Sequence, residues 1–595
     1  MTPEKTRTLR RRVGVLAIPS ALVVGGLAVV ALSSSGDVAV SDRAYVRHDG
    51  GSDVTISSCS SDATTPTAGG DGGGNRQQNE PAVAINPRNP QVMVVGSNDY
   101  CPTPTTGDAW MGFYVSRDGG ATWVNSLNPG YPTDTSAEGR ASPIFGRAGN
   151  SGDPIMDWDN EHRLFYGGLS FNRTIANPSN VVTPANGDVI VSTWQYDPST
   201  PLGMNYLRTI IVGQGTPSRF GGRFNDKPSL RADDWPDSPH EGNVYVSWTL
   251  FPGNAGNDEI LFARSTDHGA SFTHPIKVSK RIAVGQGSDI AVAPDGAVYV
   301  FWRQFDIGVP RIDHAIVFVK STDGGRTFSD PQVARPIVPY DRSDRSLTGS
   351  FARDCGDGPF ECASHFVFHR ETSAPNAIVD AGGAVYVTWE QLLPAASDGD
   401  TYRPDGQSQV VVSKSTNGGA TWSTPVPIDP NATGHQWWPN LEFDRTTRTI
   451  VAIYYDSRDD PSYSMNRPPG NTAAATSPCA DALCEVLGTY FATSADGVSW
   501  TQLRVHGVGH QPEYEMFGDR DVPFHGDYLW IDANGGIAFG VWADNRDVAP
   551  GVDVRELSDD GFDVLQCRST SESPDLCPNA GGLNQNIYGA RATIP

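Results

Sequence analysis

Beyond its N-terminus the chain of 595 residues has no stretch of sustained 3.6-residue hydrophobic periodicity, which argues against a helical protein. It has no basic stripe either: 44 Lys and Arg stand against 68 Asp and Glu, a net charge of −24. With nothing to neutralise phosphates, a nucleic-acid partner is not expected, and the acidity reads as a solubility feature. No histidine sits at zinc-ligand spacing beside any of the eight cysteines, so a zinc site is not expected and no metal ligand is nominated. What the chain does have is 64 Gly and 45 Pro spread along its length, the composition of a turn-rich all-β protein.

The exception to the rule on apolar runs is Val13 to Leu32, preceded by Arg10 to Arg12 and followed by the small residues Ser33 to Gly36. Residues 1–36 therefore read as a signal peptide or an N-terminal membrane anchor, and the remainder as secreted or extracytoplasmic. The cysteines suit that compartment. Cys355 and Cys362, Cys479 and Cys484, and Cys567 and Cys577 are close neighbours, which leaves Cys59 with Cys101, so four disulfides are expected.

One short phrase recurs five times: serine, an acidic or amide residue two places on, glycine, then a hydroxyl residue and an aromatic. The copies are Ser116–Trp123, Ser265–Phe272, Ser321–Phe328, Ser415–Trp422 and the shorter Ser494–Trp500. Asp or Asn followed by Gly supplies an Asx-type turn and a residue tolerant of positive φ, as a tight hairpin requires. Each copy follows a β-type run such as Ile316 to Lys320. These phrases resemble the Asp-boxes, or BNR repeats, of the sialidase superfamily, and the resemblance implies a β-propeller.

A second repeat, polar-Pro-x-apolar-x-apolar, then a turn and a strand, begins at Glu80, Asp153, Lys227, Ser288, Ala374, Trp438 and Gly526. These seven units predict seven four-stranded blades, with six, as in sialidase enzymes, as the alternative. The last unit has only Asn586 to Arg591 beyond its inner pair, so an N-terminal segment, placed within 37–78, is expected to close it, ahead of a propeller over 79–595.

Strand order puts the repeated turns on one face and function on the other, where the segments 331–372, 457–488 and 548–584 also fall, each with a cysteine pair. Polar residues at the inner strand ends on that face include Glu80, Asp153, Asp226, Lys227, Asp289, Glu371 and Asp527 entering, and Arg303, Glu390, Asp456, Arg458, Asp544 and Arg546 leaving. The catalytic candidates are Asp226, Asp289, Glu371, Glu390, Tyr455 and Asp527, with Tyr454 and Tyr528 as other tyrosines. Arg303, Arg458 and Arg546 are the candidates to clamp a substrate carboxylate, with Trp437, Trp438 and His525 as further substrate contacts. Salt-linked loop ends are the competing reading of the Asp–Arg pairs, structural ties that of Glu80, Asp153 and Asp226, and a structural calcium another use of the carboxylates. Trp248, Trp302, Trp389 and Trp542 recur at one blade position and read as packing residues.

The resemblance implies a glycosidase that removes terminal, anionic sugars with an arginine triad, an acid/base and a tyrosine nucleophile, acting as a monomer on a glycan without a cofactor. The Phe-Arg-Ile-Pro motif of such enzymes is absent; the stretch here is Glu80-Pro-Ala-Val-Ala-Ile85. A non-catalytic glycan- or protein-binding propeller at the envelope and a polysaccharide lyase using His435, His525 or a tyrosine as base are the alternatives.

Overall fold

The structure is a computed structural model that describes residues 33–594 apart from internal segments, the longest being 57–76, 173–186, 341–372, 466–485, 511–524 and 548–584. All eight cysteines and Glu371 lie outside the described residues, and the expected disulfides with them. Among the described residues no helix is long and apolar enough to cross a membrane.

Strand β1 (Ser33–Ala39) comes first in the chain and last in the ring. Six blades then follow in order, each a four-stranded antiparallel sheet running from the axis outward. They are β2 (Gln78–Ile85) to β5 (Val124–Leu127), β6 (Asn150–Trp158) to β9 (Met204–Gly213), and β10 (Arg223–Ala232) to β13 (Ile276–Lys277). Next come β14 (Gly285–Val292) to β17 (Gln332–Pro336), β18 (Asn376–Val379) to β21 (Val426–Pro427), and β22 (Gln436–Asp444) to β25 (Thr501–Arg504). The seventh blade holds β26 (Trp530–Asn534), β27 (Ile537–Asp544) and β28 (Asn586–Thr593), and β1 is its fourth strand. The seven-bladed propeller expected from the repeats is thus the observed fold. The closing strand is earlier than its expected place: Ser33↔Thr593 to Ala39↔Tyr588 is the register, so half of it falls in the small-residue stretch read as a cleavage site. The chain stays on β28 through Val40 and Ser41, whose amides donate to the Ile587 carbonyl, and then reaches blade 1, where Tyr45 bridges Asn125.

Each repeated phrase forms the hairpin between the third and fourth strands of its blade. In the first, Asp118 accepts bonds from the Thr122 amide at 2.9 Å and the Thr122 hydroxyl at 2.6 Å, while Ser116 Oγ accepts from the Gly120 amide at 2.9 Å. Gly120 has φ +89°, and a Cβ there would stand 2.3 Å from Phe539 of the preceding blade. The glycine therefore serves the turn and the contact between blades together. The aromatic that ends the phrase packs across the same seam: Trp123 lies 5.4 Å from Phe539, and Phe328 lies 4.8 Å from Phe262. Trp248, Trp302, Trp389 and Trp542 are fully buried, as packing residues should be.

Candidate functional site: the mouth of the axial channel

The polar-Pro repeat is a β-bulge. In five blades the innermost strand slips register by one residue, two residues facing one, at Glu80-Pro81, Asp153-Pro154, Lys227-Pro228, Gly287-Ser288 and Trp438-Pro439. The first residue of each has positive φ: +51° at Glu80, +54° at Asp153, +49° at Lys227, +64° at Gly287 and +51° at Trp438. For a residue other than glycine this costs about 1–3 kcal/mol, and such strain gathers where side chains must be aimed. Here it is gathered in a ring around the mouth of the channel.

The mouth holds a cavity of about 720 Å³. Its walls are Pro154, Pro228, Pro375, Pro439, Trp438, Tyr528, Leu529 and Trp530, and its polar groups include Lys227, Asp289, Glu390 and Asp527. Lys227 of blade 3 forms an ion pair with Asp527 of blade 7, and the Asp527 amide donates to Glu80 Oε1 at 3.0 Å. Just outside the cavity lining, Asp153 shares a hydrogen bond with Asp226. Burial pushes the Asp153 carboxyl well above the usual carboxylate range, and the Glu80 and Asp226 charges add to the rise while Lys227 opposes it. A second acid beside a buried carboxyl favours its neutral form.

The candidates meet different fates. Asp289, Glu390, Asp527 and Trp438 converge on the cavity. Asp289 is nevertheless committed: it accepts from the Ser229 hydroxyl at 2.9 Å, the Asn376 side chain at 2.9 Å and the Ala377 amide at 2.8 Å, joining blades 3, 4 and 5. Asn376 continues the series by accepting from the Leu441 amide at 2.7 Å, and Asn440 from the Ile531 amide at 3.1 Å. The sequence did carry a sign of these ties, the recurring Pro-Asn at 375–376 and 439–440. Glu390 is 1% exposed on β19.

Tyr455, Trp437 and His525 form a buried cluster behind the cavity, with ring centroids of Tyr455 6.1 Å from Trp437, 5.7 Å from Trp438 and 5.8 Å from His525. The Tyr455 hydroxyl donates to the Ala543 carbonyl at 2.8 Å, and burial raises its pKa far above that of a free phenol. Neither a nucleophile nor an open sugar platform is presented by this cluster. His525 is paired with Asn545 at 2.9 Å.

The three arginines are each held by partners of their own. Arg458 pairs with Asp456 and Asp429 and lies 3.9 Å over the Tyr490 ring. Arg546 repeats the arrangement with Asp544, Asp37 and the Tyr588 ring at 4.0 Å. Arg303 is fully buried in blade 4, bonded to His314 at 3.0 Å and set 4.1 Å over Phe305. In this arrangement Arg458 and Arg546 act as salt-linked loop ends. Among the described residues no three of His, Cys, Asp or Glu stand close enough together to hold a metal ion.

At the opposite end the channel holds a cavity of about 690 Å³, lined by Asp157, Arg231, Asp234, Glu442, Arg445 and Asp532 among others. Burial pushes the Asp157 carboxyl up to about 7, opposed by Arg231, and burial likewise pushes Asp233 up to about 6. A carboxyl whose folded pKa is raised stabilises most below its unfolded value near 4, and that stability is lost as pH rises through the folded value. The protein is accordingly expected to be more stable at pH 5 than at pH 8, by on the order of 2 kcal/mol. Urea midpoints at the two pH values check this; a higher midpoint at pH 8 contradicts it.

No protein-family model and no curated protein matches the chain. Among solved structures, it is similar to a Dyadobacter fermentans protein of unknown function at 11% identity and TM-score 0.38, with 95% of this chain and 99% of that one covered. It is similar to a Trypanosoma rangeli sialidase in complex with the inhibitor DANA at 11% identity and TM-score 0.38, covering 73% of this chain and 58% of the sialidase. It is also similar to a Fusarium graminearum α-L-arabinofuranosidase solved with arabinobiose, at 11% identity and TM-score 0.38, covering 73% of this chain and 96% of the other. Likeness at this level carries no argument about activity.

Proposed function

We propose that the protein is a carbohydrate-active propeller, a glycoside hydrolase that seats a sugar without a carboxylate group at the channel mouth. The observation that carries this is the make-up of the mouth cavity: proline and aromatic walls, three carboxylates, and Lys227, a cation already paired with Asp527. Aromatic faces and carboxylates suit the apolar faces and hydroxyls of a sugar, whereas an anionic sugar needs converging cations. Asp153, its pKa raised by burial and by its acidic neighbours, is suited to general-acid work on a leaving oxygen. Asp527 or Glu390 from across the cavity supplies the second carboxylate.

The test is a panel of fluorogenic glycosides, neutral and sialylated, with the chain from Ser33. Turnover of a neutral glycoside is expected, lowered about 10²- to 10⁴-fold by Asp153→Asn. Turnover of the sialoside alone overturns this reading. Glycan binding without turnover favours a binding propeller, a reading supported by the commitment of Glu80 and Asp289 to contacts between blades.

A further inference from the structure

β10 is unlike the other six innermost strands: it alone carries Lys or Arg, at Arg223, Lys227 and Arg231, while the others place Glu80, Asp153, Asp157, Asp289, Glu442 and Asp532 around the channel. Two of its cations cross the axis. Lys227 meets Asp527 of blade 7, and Arg231 meets Glu442 of blade 6 at 2.7 Å. Neither partner blade neighbours blade 3 in a ring of seven, so each pair spans the channel, one at the mouth and one towards the far end. Lys227 bears the left-handed φ of +49° ahead of a proline, and its side chain and that of Asp527 are only 13% and 7% exposed. A strongly hydrated ammonium on a four-carbon stem is a costly group to hold there, and a backbone strain is retained with it.

We propose that Lys227 is the specificity-determining residue of the mouth: by spanning the axis to Asp527 it lays a floor across the opening of the cavity and fixes how much of a glycan enters. This rests on the carbohydrate reading for its ligand, though not for the floor itself. The cavity continues past this floor to Ser229, which is 3% exposed, and beyond Ser229 the Arg231–Glu442 pair bars the channel again. Removing Lys227 widens the opening between the mouth and this lower space and leaves the second bar in place.

Two measurements on the chain from Ser33 test it. Ser229→Cys is labelled with a small neutral maleimide, against the same chain without the new cysteine, in the presence and absence of Lys227→Ala. Labelling at least tenfold faster without the lysine is expected. Lys227→Gly serves as a second variant, because it removes the side chain together with the φ strain, and near-ultraviolet circular dichroism reports whether each variant keeps its packing. Unchanged labelling in a folded variant overturns the floor, whatever sugars bind. In the second measurement, affinity is followed along a neutral oligosaccharide series of one to four units. Affinity that levels off after the first unit in the unsubstituted chain and continues to rise at least tenfold in the variant is expected. Faster labelling with the same length dependence overturns the specificity role, and faster labelling with no sugar bound by either chain upholds the floor and overturns the carbohydrate reading.

Discussion

A chain that begins at Val40 is expected to lose on the order of 5 kcal/mol of stability relative to one that begins at Ser33, and to aggregate where the longer chain stays dispersed. The strand removed, β1, pairs with β28 from Ser33↔Thr593 to Ala39↔Tyr588. Several ladder hydrogen bonds worth about 1 kcal/mol each are lost with it. So is Asp37, which forms an ion pair with Arg546 at the mouth end of blade 7. What remains is β28 as a bare edge whose amides and carbonyls can recruit another chain. Thermal melting and light scattering of the two chains decide the matter. Equal melting temperatures would mean that blade 7 is closed by some other segment, and the register of β1 would then count for nothing. A cut between Ser33 and Gly36 would sever the closing strand itself.

How much of this was legible in the sequence depends on how local the cause is. The blades could be counted because a strand, a turn and a bulge are each written in a few consecutive residues: Ser116 to Thr122 contains its own hairpin bonds. The incomplete last blade was legible for the same reason, as a missing strand after Arg591. The position of its replacement was not, because Ser33 to Gly36 read equally well as small residues for a peptidase. The site was less legible still. Asp289 and Asp527 both look like mouth carboxylates in sequence, yet one is consumed by the Ala377 amide of the next blade and the other by a lysine 300 residues away. Whether Arg458 points to the axis or folds back on Asp456 depends on rotamer and neighbours. No spacing rule settles that choice, since Asp-x-Arg suits both.

Arg458→Met is expected to destabilise the protein by about 3–5 kcal/mol, the cost of leaving buried carboxylates without their cation. The Arg458 guanidinium reaches Asp456 at 2.5 Å, also pairs with Asp429, and donates to the Tyr454 hydroxyl at 3.3 Å; both carboxylates are buried. Arg458→Lys should recover part of the loss, because a point charge replaces the charge but cannot fork between two acids. Chemical denaturation measures this, and the sugar panel supplies the contrast. A substrate clamp would show the reverse pattern, with stability intact and affinity for an anionic sugar lost. Arg546→Met extends the test, because one of its two acids, Asp37, arrives on β1. Its cost should therefore not add to that of deleting β1: once the strand is gone, the arginine has already lost half its pairing, and the shortfall from additivity measures how much of the seam the ion pair carries.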